Sequence, residues 1–515
     1  MIKHSDSGTL LLEKYSSLAA AFLRQYRLPF CASLFFGFLA YGFALTNKLV
    51  NHDEVASLFT KGATVTSGRW GLGALDSIFP NYSMPWIYGL ITMVLVALSV
   101  CLMVRIFQIR NRLLQCLLSG CVTVFPSLIG LFGYMFTSCS FAFSFFLAVC
   151  SAALLQTRNK WFLIPALGCL VLSLSIYQAY ISVATGLLVL VLIQQLLQKE
   201  SPAAVLARGI GFVVFLIVSL GLYLLGTEIV LRLTGNQLNN YASEKIAFSL
   251  SSVLQGAVLA YRNFLLFFTG GLHGLIPTGF SRYLHWIFMA ATGILLIIHL
   301  LAAAKEPFRI LLLVLLTAIL PLAINCMYMI TTEDSIHTLV LYGFVAVYLL
   351  AILLADRLLS NPEPVPLTGA ILNILTVVMA VIIVANTYIA NQAYLQLYLR
   401  YENAAAFYTS LIADLKMMPD FTEDTKLAVI GEYQQPEYYY EQFEQIHGIT
   451  GIYGFLPDNY SNNFFLEYYT GFPIDFATGE EIAQITASPE FGAMAVYPYY
   501  GSLQKLGNIL VVKLS

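Results

Sequence analysis

Residues 51–70 read NHDEVASLFTKGATVTSGRW. Two adjacent carboxylates, Asp53 and Glu54, stand beside His52 and are followed by Lys61, Arg69 and Trp70. A positioned carboxylate can take a proton from a hydroxyl. A guanidinium can hold a departing phosphate with two hydrogen bonds, and an ammonium can hold it as a point charge. An acid and a cation in one loop are therefore the parts of a group transfer, with a base on the attacking hydroxyl and positive charge on the leaving anion. The stretch also has a plainer reading. Asn51 three residues before Glu54 fits a capping box, and acids favour a first helical turn.

The elements around this stretch decide where such chemistry would occur. The chain has 515 residues, 59% hydrophobic and only 10% charged, and its mean hydropathy is +0.77. Soluble domains carry roughly 25% charged residues, so lipid is the solvent for most of this surface. Apolar runs of spanning length predict an α-helical polytopic membrane protein of about 11 transmembrane helices, at 28–47, 85–104, 113–132, 135–156, 161–178, 180–197, 209–228, 283–303, 310–329, 336–355 and 367–389. With the N-terminus in the cytoplasm, the inner segments hold 14 Lys and Arg and the outer loops before the tail hold 7, the expected positive-inside bias. Residues 1–27 form an amphipathic segment on the inner surface, with Leu11, Tyr15, Leu18 and Phe22 at helical spacing. Residues 28–390 form the membrane domain, with outer loops 48–84 and 229–282. Within the second loop, residues 257–280 are apolar but interrupted by Gly270, Gly271, Gly274 and Pro277, which predicts an interfacial or re-entrant helix. Residues 391–515 carry 15 acids and 5 bases. KLAVIG, MAVYP and NILVVKL read as short strands of a small extracytoplasmic α/β domain.

None of these spans holds an Asp, Glu, Lys or Arg away from its ends; His285, His299 and His337 are the ionisable groups within them. That argues against an ion-coupled carrier, which keeps charges near the midplane. Net charge of −2 excludes a nucleic-acid footprint. The polar chemistry gathers at the outer interface. If the substrate is a sugar on a lipid phosphate, the bond to be broken lies at that depth, because the lipid tail stays in the bilayer. Asp53 would then be the base, with Arg69 or Lys61 on the phosphate. Trp70 would stack on a sugar or serve as an interfacial belt residue. SIYQAYIS at 175–182 offers Tyr177, Gln178 and Tyr180 at an outer turn, and TTEDSIH at 331–337 offers Glu333, Asp334 and His337. His52, Tyr134, Arg262, His273 and Arg282 are further candidates for the same cavity. A divalent metal, Mg or Mn, could bridge Asp53 or Glu54 to the phosphate, although neighbours on a helix point apart and no dedicated ligand set is evident.

The acid pair after the first span, the GR further on, the mid-chain YQ turn and the closing MAVYPYYGSLQKLGNILVVKLS together resemble the type II Gtr family of serotype-converting O-antigen glucosyltransferases. The resemblance implies a GT-C-like fold and a base on the first extracytoplasmic loop, with Asp53 in that place and Glu54 as its acidic neighbour. Family members often carry two aspartates there; this chain has Asp-Glu. The resemblance further implies an inverting hexosyl transfer from undecaprenyl-phosphate glucose in the bacterial inner membrane. The acceptor, a lipopolysaccharide O-antigen, a teichoic acid or another surface glycan, does not follow from it. Two other readings compete: a lipid-linked-sugar flippase or transporter, and a non-catalytic envelope assembly partner.

Overall fold

The computed structural model describes the 515-residue chain except residues 1–5, 59–63, 81, 158, 239–249, 271–279, 332–335, 361–365, 420, 423–424, 433–445, 447, 453–460 and 473. Its helices run in order α1 (Asp6–Gln25), α2 (Arg27–Thr46), α3 (His52–Ser57), α4 (Trp70–Leu75), α5 (Pro85–Phe107), α6 (Arg112–Thr123), α7 (Pro126–Gly133), α8 (Met135–Leu154), α9 (Leu163–Ile176), α10 (Ile181–Leu197), α11 (Pro202–Thr234), α12 (Leu250–Thr269), α13 (Phe280–Ala302), α14 (Pro307–Ile324), α15 (Val345–Leu359) and α16 (Pro366–Met417). Among the described residues 9 helices are long and apolar enough to cross a bilayer: α2, α5, α8, α11, α13, α14, α16, and α10 and α15 with the turns that lead into them. The bent pair α6–α7 makes up to 10. The apolar helix at Lys160–Ile176 is shorter. This is a polytopic membrane protein.

The break between α6 and α7 has a clear cause. Pro126 opens α7 without an N–H to donate, and the two helices bend by 43°. Carbonyls freed in an apolar bundle need new donors. Two buried tyrosines supply them: Tyr41 Oη donates to Thr123 O at 2.6 Å and Tyr342 Oη to Val122 O at 3.0 Å, while Tyr394 Oη donates to Ile129 O within α7 at 2.9 Å. Small hydroxyls tie other spans together. Ser144 and Ser173 bond across α8 and α9, and Ser151 Oγ donates to Ala166 O at 2.8 Å. At the opposite end of the bundle, buried Asp356 accepts from the N–H groups of Arg110 and Asn111 at 3.0 and 2.9 Å.

Several elements depart from the sequence expectation. α11 is 33 residues long where a span of 209–228 was expected, because no breaker intervenes before Gly235 at φ +67°. α16 is continuous for 52 residues where a span ending at 389 was expected. At about 1.5 Å per residue it is roughly 78 Å long, and it carries the chain from the bundle into the C-terminal unit. α12 occupies part of the ambiguous segment 257–280 and is not among the spanning helices. It buries Ala260, Phe264 and Phe267 against the bundle and exposes Leu254, Val258 and Leu265. On α1 the stripe residues Tyr15 and Leu18 are exposed.

The C-terminal sheet has three strands, β1 (Lys426–Ile430), β2 (Leu503–Leu506) and β3 (Ile509–Lys513), in the order β1-β3-β2, with β1 parallel and β2 antiparallel to β3. MAVYP, expected as a strand, is not one. Pro498 has no N–H for a ladder, and the segment adds a single rung, Tyr497 N–H to Lys513 O at 2.8 Å. LQKL takes the third place through a turn at Gly507, φ +62°. The core of this unit joins Leu427, Val429, Leu510 and Val512 of the sheet to Phe407, Tyr408 and Leu411 of α16, and it also takes in Val50 and Val55 from the first loop. A second piece, Ile446, Ile449 and Ile452, packs into the core of the membrane bundle.

Candidate functional site

α3 starts where Asn51 leaves extended backbone. Its Oδ1 accepts from Glu54 N–H at 2.9 Å, and its Nδ2 donates to Gly133 O at the end of α7. Asn51 therefore caps α3, but the box is not completed, since the Glu54 carboxyl makes no return bond among the described residues; the cap also pins α3 to the bundle. The two acids, adjacent on the helix, go to opposite sides. Asp53 lines a cleft of about 390 Å³, with its side chain 41% exposed, while Glu54 is 0% exposed and lies outside the lining. Burial pushes the Glu54 carboxyl up to about 7; the Ser83 hydroxyl, the Lys48 charge and the Ser83 N–H pull only part of the way back. Ser83 is close enough to act on the carboxyl, yet neither its hydroxyl nor either Glu54 oxygen is aligned in a side-chain hydrogen bond among the described residues.

Arg69 reaches the same cleft from a tight turn. Gly68 N–H bonds to Val65 O at 3.0 Å and Arg69 N–H to Thr64 O at 2.8 Å, and Gly68 holds φ +73°. A Cβ on Gly68 would come within 2.9 Å of the Tyr223 hydroxyl. That hydroxyl donates to Gly68 O at 3.1 Å, and Gln178 Nε2 donates to Ser67 O at 3.1 Å. Gln178 Oε1 also accepts from Arg69 Nε at 3.4 Å. The guanidinium carbon stands 5.2 Å from the Tyr177 ring centroid and 6.0 Å from that of Phe141, and those two rings stack at 4.3 Å. A cation over an aromatic face keeps its in-plane N–H groups free to point at an anion.

Tyr134, Tyr177 and His337 complete the expected residues in the cleft, and the hydroxyls of Ser57, Thr64, Ser67, Thr137 and Thr450 ring it. Thr450 arrives from the C-terminal unit. Thr338 Oγ1 donates to Gly448 O at 2.6 Å, Thr338 N–H donates to Thr450 Oγ1 at 3.1 Å, and Arg400 Nη1 donates to Ile452 O at 2.9 Å. Gly451, at φ +83°, lies so close to Tyr134 that a Cβ there would meet the ring at 2.3 Å. The sequence reading missed Ser57, Thr64, Ser67 and Thr137, whose signal was proximity to Arg69 and Tyr134 along the chain, and Thr450, which had none.

Other expected residues lie elsewhere. His52 Nε2 stands 3.6 Å from Asp53 Oδ1 at the margin of the cleft. Trp70 packs against Gly226 of α11. Gln178 supports the Arg69 turn from behind, and Tyr180 is buried in contact with Phe145 and Tyr177. Arg282 faces the rings of Tyr283 and Trp286, and Arg262 is exposed on α12. Lys61, His273, Glu333 and Asp334 lie outside the described residues. Among the described residues no three His, Cys, Asp or Glu side chains gather as metal ligands. With Asp53 in the cleft and Glu54 fully buried outside its lining, the acid pair does not fit one bridging ion. Within the spans His285 bonds Ser281 O and Tyr348 Oη, and His299 bonds Leu354 O, so both are satisfied structural groups.

No curated protein and no solved structure is similar to the chain at a significant level. The family described as Glucosyl transferase GtrII matches residues 42–350, a stretch that holds Asp53, Arg69, Tyr134, Tyr177 and His337. On that match over more than half of its length, this membrane protein belongs to the GtrII glucosyl transferase family.

Proposed function

We propose that the protein transfers glucose from a polyprenyl-phosphate donor to a surface glycan on the outer side of the bacterial cytoplasmic membrane, with its N-terminus inside and residues 391–515 outside. The observation that carries this reading is the convergence of Asp53 and Arg69 on one cleft walled by hydroxyls and aromatic rings. Asp53 takes the proton from an acceptor hydroxyl. The hydroxyl oxygen attacks the anomeric carbon as the bond to the phosphate oxygen breaks, and the polyprenyl phosphate leaves with the electron pair against Arg69. Attack opposite the leaving group inverts the anomeric centre. Tyr134, His337 and Thr450 stand where acceptor or donor sugar hydroxyls need partners.

The lipid tail also has a place. An apolar groove of about 520 Å³ runs between α10, α11 and α14, with Leu188, Leu192, Gly209, Val213, Leu316 and Ala323 among its lining. α11 continues from this groove to Tyr223, which holds the Arg69 turn. A lipid lying in the groove would thus have its head end directed toward the cleft.

The test is transfer of radiolabelled glucose from synthetic undecaprenyl-phosphate glucose to a panel of lipopolysaccharides and teichoic acids by the purified protein. Wild type labels at least one glycan. Asp53→Asn, which keeps size, purifies normally and loses about 10³-fold in rate. Wild-type-like transfer by that variant removes Asp53 from the chemistry.

A further inference from the structure

Three polar groups meet beneath α3 with nothing to bond. The Glu54 oxygens, the Ser83 hydroxyl and the Tyr469 hydroxyl are all buried, and none has a hydrogen bond among the described residues. α3 packs directly on the turn Phe465–Tyr469, and Tyr469 lies against the core that holds Val50 and Val55; Ser83 and Lys48 are close enough to act on Glu54, and Glu54 on Tyr469. Tyr469 sits in the turn Phe465–Tyr469 of the C-terminal unit, with Lys48 Nζ 4.2 Å from its ring centroid and Tyr401 of α16 at 6.3 Å. Native proteins rarely leave buried polar groups unmade, and an acid costs most. A cluster of three, each able to donate or accept, is accounted for if the members bond one another.

The location gives the cluster a task. α3 is only six residues long and is pinned on the bundle side by Asn51 to Gly133. On the other side Val50 and Val55 enter the core of the C-terminal unit, and Glu54 is fully buried on the helix that packs against it. Asp53 projects between these two anchors into the cleft.

We propose that Glu54, Ser83 and Tyr469 close into a hydrogen-bonded latch that ties α3 to the C-terminal unit, making Glu54 a positioning residue for Asp53 rather than a second acid of the reaction. The assignment rests on the reading of Asp53 as base. It gives the carboxyl a role that needs hydrogen bonds and not charge, and the amide of glutamine can supply those.

The test uses the full chain in nanodiscs, with Glu54→Gln, Glu54→Leu, Tyr469→Phe and Asp53→Asn. Two readouts are taken: glucose transfer from undecaprenyl-phosphate glucose to the same glycan panel, and hydrogen exchange of the amides of residues 52–58. The latch predicts that Glu54→Gln stays within about threefold of wild type in both. Glu54→Leu and Tyr469→Phe each lose about tenfold in kcat at unchanged donor KM, and their α3 amides exchange about tenfold faster, as the loss of one or two hydrogen bonds allows. If Glu54→Gln is as inactive as Asp53→Asn with wild-type exchange, Glu54 belongs to the chemistry and the proposal is overturned. Wild-type exchange in both Glu54→Leu and Tyr469→Phe also overturns it. If wild type transfers no glucose, the functional reading fails, and the exchange measurement decides the latch by itself.

Discussion

At the scale of single residues, the site separates two acids that share a helix. Asp53 is half-exposed to a cleft and Glu54 is fully buried. This difference has a consequence in pH. Burial raises the folded-state pKa of Glu54 from 4.5 to about 7. The folded protein therefore binds more protons than the unfolded chain between those values, and stability falls as pH rises through that window. The full effect is on the order of 3 kcal/mol at about 1.4 kcal/mol per pKa unit. Thermal denaturation from pH 5 to pH 8 should show wild type losing stability relative to Glu54→Gln; parallel curves would contradict the buried placement. Arg69 makes a different prediction. Its guanidinium sits over the Tyr177 and Phe141 rings and beside Gln178, a setting that a lysine cannot reproduce. Arg69→Lys should cost about 10-fold or more in kcat/KM for the donor while leaving the protein folded, as donor titrations would show.

At the scale of elements, the loop after α2 is shaped by two clamped segments, the α3 cap and the Arg69 turn. The Arg69 turn is held by Tyr223 and Gln178 from two different helices. Gly68→Ala would place a Cβ at φ +73° and within 2.9 Å of the Tyr223 hydroxyl, a combined strain of about 1–3 kcal/mol. Transfer activity should drop through donor KM, because Arg69 is displaced, and an unchanged KM would count against the turn as the phosphate-site scaffold. The broken span α6–α7 shows the same logic inside the bundle. A proline frees carbonyls that two tyrosine hydroxyls recover, and Gly133, where α7 ends, receives the α3 cap.

At the scale of the whole molecule, membrane bundle and C-terminal unit are built into each other. Val50 and Val55 of the first loop complete the core of the C-terminal unit, and Ile446, Ile449 and Ile452 complete that of the bundle. The cleft is consequently walled from both sides. The apolar groove predicts a dependence on the length of the donor lipid. Gly209→Trp would fill the groove where Gly209 faces Leu192. Turnover of undecaprenyl-phosphate glucose should fall about 10-fold, while a short citronellyl-phosphate donor, with little tail to bury, stays within about 2-fold. Equal loss with both donors would point to general damage to the bundle instead.

Much of this was legible along the chain. Most expected apolar runs coincide with single helices, because hydropathy and helical period are local properties that lipid reads directly; 113–132 falls instead on the bent pair α6–α7, and 161–178 on a helix shorter than a span. Asp53, Arg69, Tyr134, Tyr177 and His337 were nameable from residue type and from their place beside apolar runs. The sequence could say that Asp53 and Glu54 diverge but not which of them meets the cleft, since that depends on what packs against each face of α3. MAVYP has the look of a strand, and only the sheet reveals that LQKL holds the edge. Thr450 carried no signal, because its place in the same cleft as Asp53 depends on the segment around it being held by Thr338, 112 residues away, and by Arg400, which bonds Ile452 across 52 residues. Local pattern specifies which segments enter lipid and which residues can do chemistry; packing between distant segments decides which side chains face one another, and no period in the chain records that.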